Sequence, residues 1–480
     1  SKKVLDTTCH LYAAVWRLDQ NIFFFFFNKS SKSNLDTYLV QNHTRFSFEM
    51  NIMQQVKRKR IAVIGGGISG MGAAQMLGDT HSVTLLEAAP RLGGHARTVV
   101  AGKSGDQPVD TGFIVFNYAN YPHLVKMFEQ LNVPVVKSNM SFGASLNGGE
   151  IEYGTTGVQA LFAQPSNLIS PNFLRMVRDI FRFNANALRL ASDPTLTIGE
   201  FLQRLGTGSW FRDYYLMPMS GAIWSTPLEQ MMNFPAQALV QFFENHALLS
   251  HTGQHQWYTV KGGSREYVSR LRAAMLKQGT QIRLFTPVKA VRRSAWGIEL
   301  RVHGGDWEAF DEVIFATHSD DTLRMLVDPN SEERAMLAAI SYQPNDIILH
   351  ADASVMPKRR ACWSSWVYTE DVNKQSERID LTYWMNSLQP IPHDDPHFVT
   401  LNTTREIKQE LIYDQVTLRH PVFDLAALQA QKSVPRINGK NATWFCGAWT
   451  KNGFHEDGLS SAVDVAQALN AAVAHSVELV

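Results

Sequence analysis

The stretch that most restricts this chain is Arg60 to Leu77, RIAVIGGGISGMGAAQML, with SVTLLE following from Ser82 to Glu87. IAVIG is short, β-branched and free of polar residues, the pattern of a strand buried on both faces of a parallel sheet. Gly65, Gly67 and Gly70 then spell GxGxxG, and Met71 to Leu77 continues with helical periodicity until Gly78 stops it. SVTLLE returns to strand. In such a strand–turn–helix–strand unit each glycine has its own task. Gly65 permits the tight turn, Gly67 lets the backbone approach a pyrophosphate, and Gly70 lets helix and strand pack closely. The helix start, at Ile68 and Ser69, offers unpaired N–H groups to the anion. Glu87 ends the second strand, about 20 residues on, where a carboxylate accepts from ribose hydroxyls. The unit predicts a dinucleotide site. Glu87 fits the unphosphorylated ribose of NAD and FAD alike.

Composition removes other classes. The 480 residues, 45% hydrophobic and 19% charged, have room for roughly two or three domains with substantial cores. Lysine plus arginine (45) nearly cancels aspartate plus glutamate (44), and the short basic run Lys57 to Arg60 abuts the first strand. No nucleic-acid partner is expected. Cys9, Cys362 and Cys446 lie far apart and form no CxxC pair, so neither a disulfide framework nor a metal site is expected, and a reducing compartment fits. No apolar run approaches the roughly 20 residues of a spanning helix, and a cytoplasmic location is expected. Residues 1–56 differ from the rest. They hold NIFFFFFNKSSKSN, too short to span and without a signal-peptide cleavage site, and Met50 and Met53 sit just ahead of the first strand. This segment is expected to be an extension outside the fold.

Glu87 is followed by AAPRLGGHART, which places Arg91, Gly93, Gly94 and Thr98 at fixed spacing behind the acid. On its own RLGG is a glycine turn with a surface arginine. Directly behind a dinucleotide unit, it resembles the second signature of the flavin-containing amine oxidase and phytoene desaturase superfamily. There the arginine and glycines carry the chain past the FAD diphosphate toward the flavin. Three further stretches resemble the same superfamily. QIRLFTPVKAVRRS reads as a strand pair, with Val288 where the family's backbone clasps adenine. DEVIFATHSDDTL ends in an Ala316-Thr317-His318 turn, His318 departing from the family's glycine. TWFCGAWTKNGFHEDGLSSAVDVAQAL runs from a strand to Gly447, through an aromatic loop, to a helix opened by Asp457 and Gly458. The runs TVKGGSREYVSRL, HADASVMP, ACWSSWVY and LTYWMNSLQ are similar to a largely bacterial subgroup of NAD/FAD-binding, amine-oxidase-like oxidoreductases, often encoded beside cyclopropane-fatty-acid synthases. His95, in GGHA, stands where the wider superfamily has arginine. The resemblance spans residues 57 to 475.

The resemblance implies an α/β fold: a discontinuous Rossmann-like FAD-binding domain with an α+β substrate domain, amine-oxidase-like. The FAD domain would be assembled from about 57–145, 258–330 and 435–480. Residues 146–257, helical in pattern at NFLRMVRDIFRFNANALRL, and the strand-rich 331–434 would form the substrate domain. FAD would be held noncovalently by Gly65, Gly67, Ile68, Ser69, Gly70, Glu87, Arg91, Gly94, His95, Val288, Gly447, Asp457 and Gly458. The helix at Asp457-Gly458 would bring its positive end to the flavin pyrimidine ring. Trp449 and Phe454 are candidates to wall the substrate side, or ordinary core. His455 is a candidate for ring hydrogen bonding and proton transfer, or a capping or surface residue. Trp224, Tyr383 and Trp384 are candidate lining or core. Only one strand–GxGxxG–helix unit occurs, which argues against a separate NAD(P)H domain. The expected function is oxidation or desaturation of a hydrophobic, fatty-acyl substrate by hydride transfer to flavin N5. Two alternatives stay open: an amine oxidase in the narrow sense, and an FAD-bound scaffold for a lipid-modifying enzyme. A small-molecule or lipid substrate and peripheral membrane contact are the expected partners.

Overall fold

The first strand–turn–helix–strand unit forms where its pattern predicts. In this computed structural model the described residues are 58–478 apart from 194, 225–230, 246–247, 250–254, 296 and 373–379; the expected N-terminal extension lies outside them. β1 (Arg60–Ile64) leads into α1 (Ile68–Leu77) and β2 (Ser82–Leu86). α2 (Pro122–Gln130), β3 (Phe142–Leu146), β4 (Ile151–Gly154) and α3 (Pro171–Leu190) follow. Next come α4 (Arg265–Lys277), β5 (Gln281–Arg283) and β6 (Glu312–Phe315). β7 (Ser341–His350), β8 (Trp366–Thr369), β9 (Asp380–Trp384), β10 (Phe398–Leu401) and β11 (Ile412–Val422) precede β12 (Thr443–Phe445) and α5 (His455–Glu478).

Two sheets organise the chain. The first is parallel throughout, in the order β5-β2-β1-β6-β12. Its strands come from residues 60–86, 281–315 and 443–445, so three distant stretches build one layer. The connections leave β1 on one side toward β2, while β6 pairs on its other side. That order makes a crevice beyond the carboxyl ends of β1 and β6, the place where open parallel sheets bind ligands. The second sheet is mixed, in the order β11-β7-β10-β9-β8-β3-β4, with only β8 and β3 parallel. Its β3 comes from Phe142–Leu146, at the end of the stretch read as the first cofactor segment. Phe173, Met176 and Phe183 on the inner face of α3 share a buried core with Phe142 and Tyr153 of this sheet. Ser170 caps α3, its hydroxyl accepting from the Phe173 N–H, and Pro171 opens the first turn. Residues Lys59–Ala474 form one compact unit; of the second, Ser1–Arg58 with His475–Val480, only Arg58 and residues 475–478 are described.

Two details differ from the sequence reading. QIRLFTPVKAVRRS is not a strand pair. β5 joins the parallel sheet beside β2, whereas Val288–Ser294 pairs with Gly297–Val302 in a separate antiparallel sheet. Between them Phe285 takes a left-handed φ of 52° and Pro287 has no N–H to offer a ladder, so the chain changes sheets there. The last helix starts at His455, ahead of Asp457. The Asp457 carboxylate reaches back to accept from the Phe454 N–H at 2.9 Å, which moves the cap upstream. Among the described residues no helix is long and apolar enough to cross a membrane.

Candidate active site

The crevice beyond β1 and β6 widens into a cavity of ≈ 1360 Å³. That exceeds the roughly 300–1,000 Å³ usual for one small ligand, and leaves room for a dinucleotide beside a second molecule. The fingerprint turn is tightly made. Gly65 adopts φ +108°, and its N–H donates to the Leu86 carbonyl at 2.8 Å. A Cβ on Gly70 would overlap the Gly65 carbonyl oxygen, so helix and turn meet backbone to backbone there. At Gly67 the situation is opposite. A Cβ would find no atom within 4 Å and would project into the open cavity. Gly67 therefore leaves space that the fold itself does not use, the space a diphosphate needs. Glu87 lines the same end; its oxygens accept from the N–H groups of Gly66 at 2.5 Å and Ala89 at 2.7 Å. Each keeps a lone pair for a ribose hydroxyl.

The second signature lies directly on the first. Gly93 bridges to Gly67, and Gly94, at φ +57°, approaches so closely that its Cβ would stand 3.0 Å from the Gly67 Cα. Gly94, His95, Ile68, Ser69 and Val288 all line the cavity. Arg91 does not. Its guanidinium donates to the carbonyls of Leu92, Gly94 and Ala96 and so braces the turn from behind. With those carbonyl partners the side chain shapes the loop that carries Gly93 and Gly94.

The C-terminal stretch closes the other side. Gly458 packs against the start of α1, where a Cβ would come within 2.9 Å of Ser69 Oγ and 3.1 Å of Ile68 Cγ2. The two helix beginnings thus meet at one point. Gly458 and Asp457 serve this junction and its cap without lining the cavity; Gly447, Trp449, Phe454 and His455 do line it. Trp449 is buried, and its indole N–H donates to the Thr317 carbonyl at 3.1 Å. His455 is neither a surface nor a capping residue. Its ring stacks on Phe113 with centroids 3.9 Å apart, and its Nε2 lies 2.8 Å from the Tyr267 hydroxyl. Burial, with a smaller contribution from His95, lowers its pKa to about 3, so the imidazole is uncharged at neutral pH. Cys446 is fully buried, its thiol pushed up to about 12 by burial, and it does not face the cavity.

Several lining residues escape sequence reading. Thr111 to Val115, in VDTGFIV, form one wall. The signal was Gly112, where a Cβ would overlap the His95 carbonyl oxygen. Asp110 anchors this wall by accepting from the Ser264 N–H at 2.9 Å, the Thr98 hydroxyl at 2.6 Å and the Gln389 amide at 3.0 Å. His420, from β11, joins His95 and His318, with ring centroids 5.5 and 5.8 Å from that of His95. Arg419 bonds Asp320 and Asp321, each at 2.6 Å, and fills the neighbouring cluster of acids with its own charge. Tyr383 lines the cavity beside Trp366, at 5.5 Å between rings, whereas Trp384 turns away to Trp363. The Trp224 side chain lies outside the described residues.

The profile of the flavin containing amine oxidoreductase family matches residues 68–411. No curated protein sequence matches the chain. Among solved structures, a CLA-producing fatty acid isomerase from P. acnes superposes with a TM-score of 0.62 at 15% identity, covering 85% of this chain and 98% of its own. Putrescine oxidase bound to putrescine gives 0.63 at 15% identity, over 86% and 99%. Reduced UDP-galactopyranose mutase gives 0.63 at 13%, over 86% and 96%. These likenesses show a shared fold that hosts several chemistries. The matched stretch holds the Glu87 turn, the GGHA loop and most of the cavity wall. The chain belongs to the flavin containing amine oxidoreductase family and is an FAD-dependent oxidoreductase.

Proposed function

We propose that this enzyme oxidises or desaturates a hydrophobic substrate carrying a fatty-acyl chain. One observation carries the reading. Away from the dinucleotide end the cavity is walled by Met140, Phe142, Met219, Ile347, Trp366 and Leu401, and among the described lining residues the only carboxylates are Glu87 and Asp321. Glu87 faces the fingerprint turn, and Asp321 is paired with Arg419. An ammonium group entering the apolar half would lose its hydration without meeting a counter-charge, which is costly. An acyl chain gains on entry, by about 0.8 kcal/mol for each buried methylene. The resemblance to the subgroup encoded beside cyclopropane-fatty-acid synthases supports the same substrate class. So does the fatty acid isomerase among the structural neighbours. The amine reading rests on the π faces of Trp366 and Tyr383, which could hold a cation.

FAD, when bound, supplies a hydride acceptor at flavin N5. The protein's part is to hold, orient and exclude water. The open space at Gly67 and the N–H groups at the start of α1 would take the diphosphate, Glu87 the ribose and Val288 the adenine. The positive end of α5 opens on the cavity at His455. It favours negative charge there by about 1 kcal/mol where water is excluded. His455, uncharged and bonded to Tyr267, can hold or pass a proton at the cavity wall without placing a fixed charge in it. Cys446, buried off the cavity, is not placed to tether the cofactor, which supports noncovalent binding.

Anaerobic titration of the purified yellow enzyme tests the reading. Bleaching of the flavin by an acyl-lipid extract and not by an amine panel is the expected outcome. Bleaching by amines alone, or by neither, overturns it.

A further inference from the structure

The outer face of α3 is not what a surface helix usually shows. Its inner residues Phe173, Met176, Phe183 and Ala187 are buried as amphipathicity requires. The opposite face should then be polar. Instead Leu174, Phe181 and Leu188, seven residues apart, are all exposed. Beside them Arg175, Arg182 and Arg189 repeat at the same spacing, with Arg178 between, and all four are exposed. Arg175 donates to Asn172, Arg182 to the Gly206 carbonyl and Arg189 to Asn186, neutral acceptors that leave the positive charge uncompensated. Among the described residues only Arg178 of the four has a carboxylate partner, the buried Asp179. The helix therefore presents an apolar line and a basic line side by side along about 21 Å.

The apolar line continues upstream. Ile169 is 82% exposed and Val158 74%, with Leu168 also exposed. Val158 directly follows Thr155 to Gly157, which line the cavity. An exposed apolar residue thus follows the cavity rim directly along the chain.

We infer that this face docks the enzyme on an anionic lipid surface. Exposed apolar side chains beside arginines are the composition of a helix lying at a bilayer interface, apolar residues entering the acyl boundary and guanidinium groups meeting phosphates. A protein partner would be expected to supply carboxylates to several arginines at once; a headgroup layer supplies anions along the whole line. The inference extends the reading of an acyl substrate, since a cavity rim at the membrane lets a chain enter without crossing water. Docking itself needs no turnover.

The test is flotation of the FAD-loaded, full-length protein with vesicles of phosphatidylcholine alone and of phosphatidylcholine mixed with phosphatidylglycerol. The wild type is expected to float with the mixed vesicles only. The triple variant Arg175→Gln, Arg182→Gln, Arg189→Gln should lose roughly 100-fold in partitioning, from about fivefold for each basic residue near an anionic surface. The double variant Ile169→Ser, Leu174→Ser should lose binding as well. Unchanged flavin absorption and melting temperature certify that both variants are folded. Absence of flotation with mixed vesicles, or equal flotation of the triple variant, overturns the inference. So does a vesicle-free dimer that the serine variant converts to monomer, which would assign the face to a second copy of the chain. Flotation without bleaching by lipids would remove the substrate reading and leave the docking face standing.

Discussion

Gly67 and Gly70 look interchangeable in the fingerprint and are not. Gly70 faces backbone, and Gly67 faces open cavity. Gly70→Ala is expected to force the turn apart, costing about 3 kcal/mol or more of stability and the cofactor with it. Gly67→Ala should leave the melting curve of the apoprotein unchanged yet weaken FAD binding at least about tenfold, because the added methyl takes ligand space. Thermal melts of the apoproteins with FAD titrations separate the two; equal loss of stability in both would contradict the assignment. The fingerprint glycines were legible because only backbone geometry was at stake. The bonding partners of Arg91 and His455 were not. Whether a guanidinium meets a phosphate or three carbonyls is set by the fold of its own loop, and His455 owes its place to Phe113 and Tyr267, distant in sequence.

At the level of elements, the first turn of α5 does more than face the cavity. The Glu456 carboxylate accepts from the N–H groups of His123 and Leu124, at 2.8 and 2.9 Å, and so caps α2 from another part of the chain. Glu456→Ala should lower the free energy of unfolding by about 2 kcal/mol, with Glu456→Gln recovering part of it because one acceptor remains. Urea denaturation gives the numbers, and an Ala variant within about 0.5 kcal/mol of wild type would refute the cap. Elements with a strong local pattern, the apolar runs of β1 and β2, the glycine-opened α1 and the periodic α3, could be read from sequence. The divide between β5 and Val288–Ser294 could not, since both are plausible strands and β5 finds its partner β2 far back along the chain, while Val288–Ser294 pairs with the segment that follows it.

Over the whole molecule, the histidines around the cavity are held uncharged. Burial lowers His318, His420 and His455 to about 3 each, and lowers His95 as well. These groups stay neutral in the fold but take up protons once unfolded, below about pH 6.5. Their stabilisation is present above that pH and is lost as pH falls toward 3. Asp457, pushed up to about 6 by burial, works in the other direction and offsets part of the loss. Comparison with His420→Gln isolates the effect. Between about pH 7.5 and about pH 5 the variant should lose about 2 kcal/mol less than wild type; parallel losses would show that His420 does not titrate on unfolding. The parallel sheet has a different kind of consequence. Its edge strand β12 and the helix meeting α1 are synthesised long after the fingerprint turn they complete. A nascent chain on the ribosome therefore displays its fingerprint turn with one wall of the nucleotide cleft missing until residues 443–478 have emerged. Flavin capture has to wait for that segment, and a product truncated before residue 443 is one that chaperones must hold without the cofactor's help.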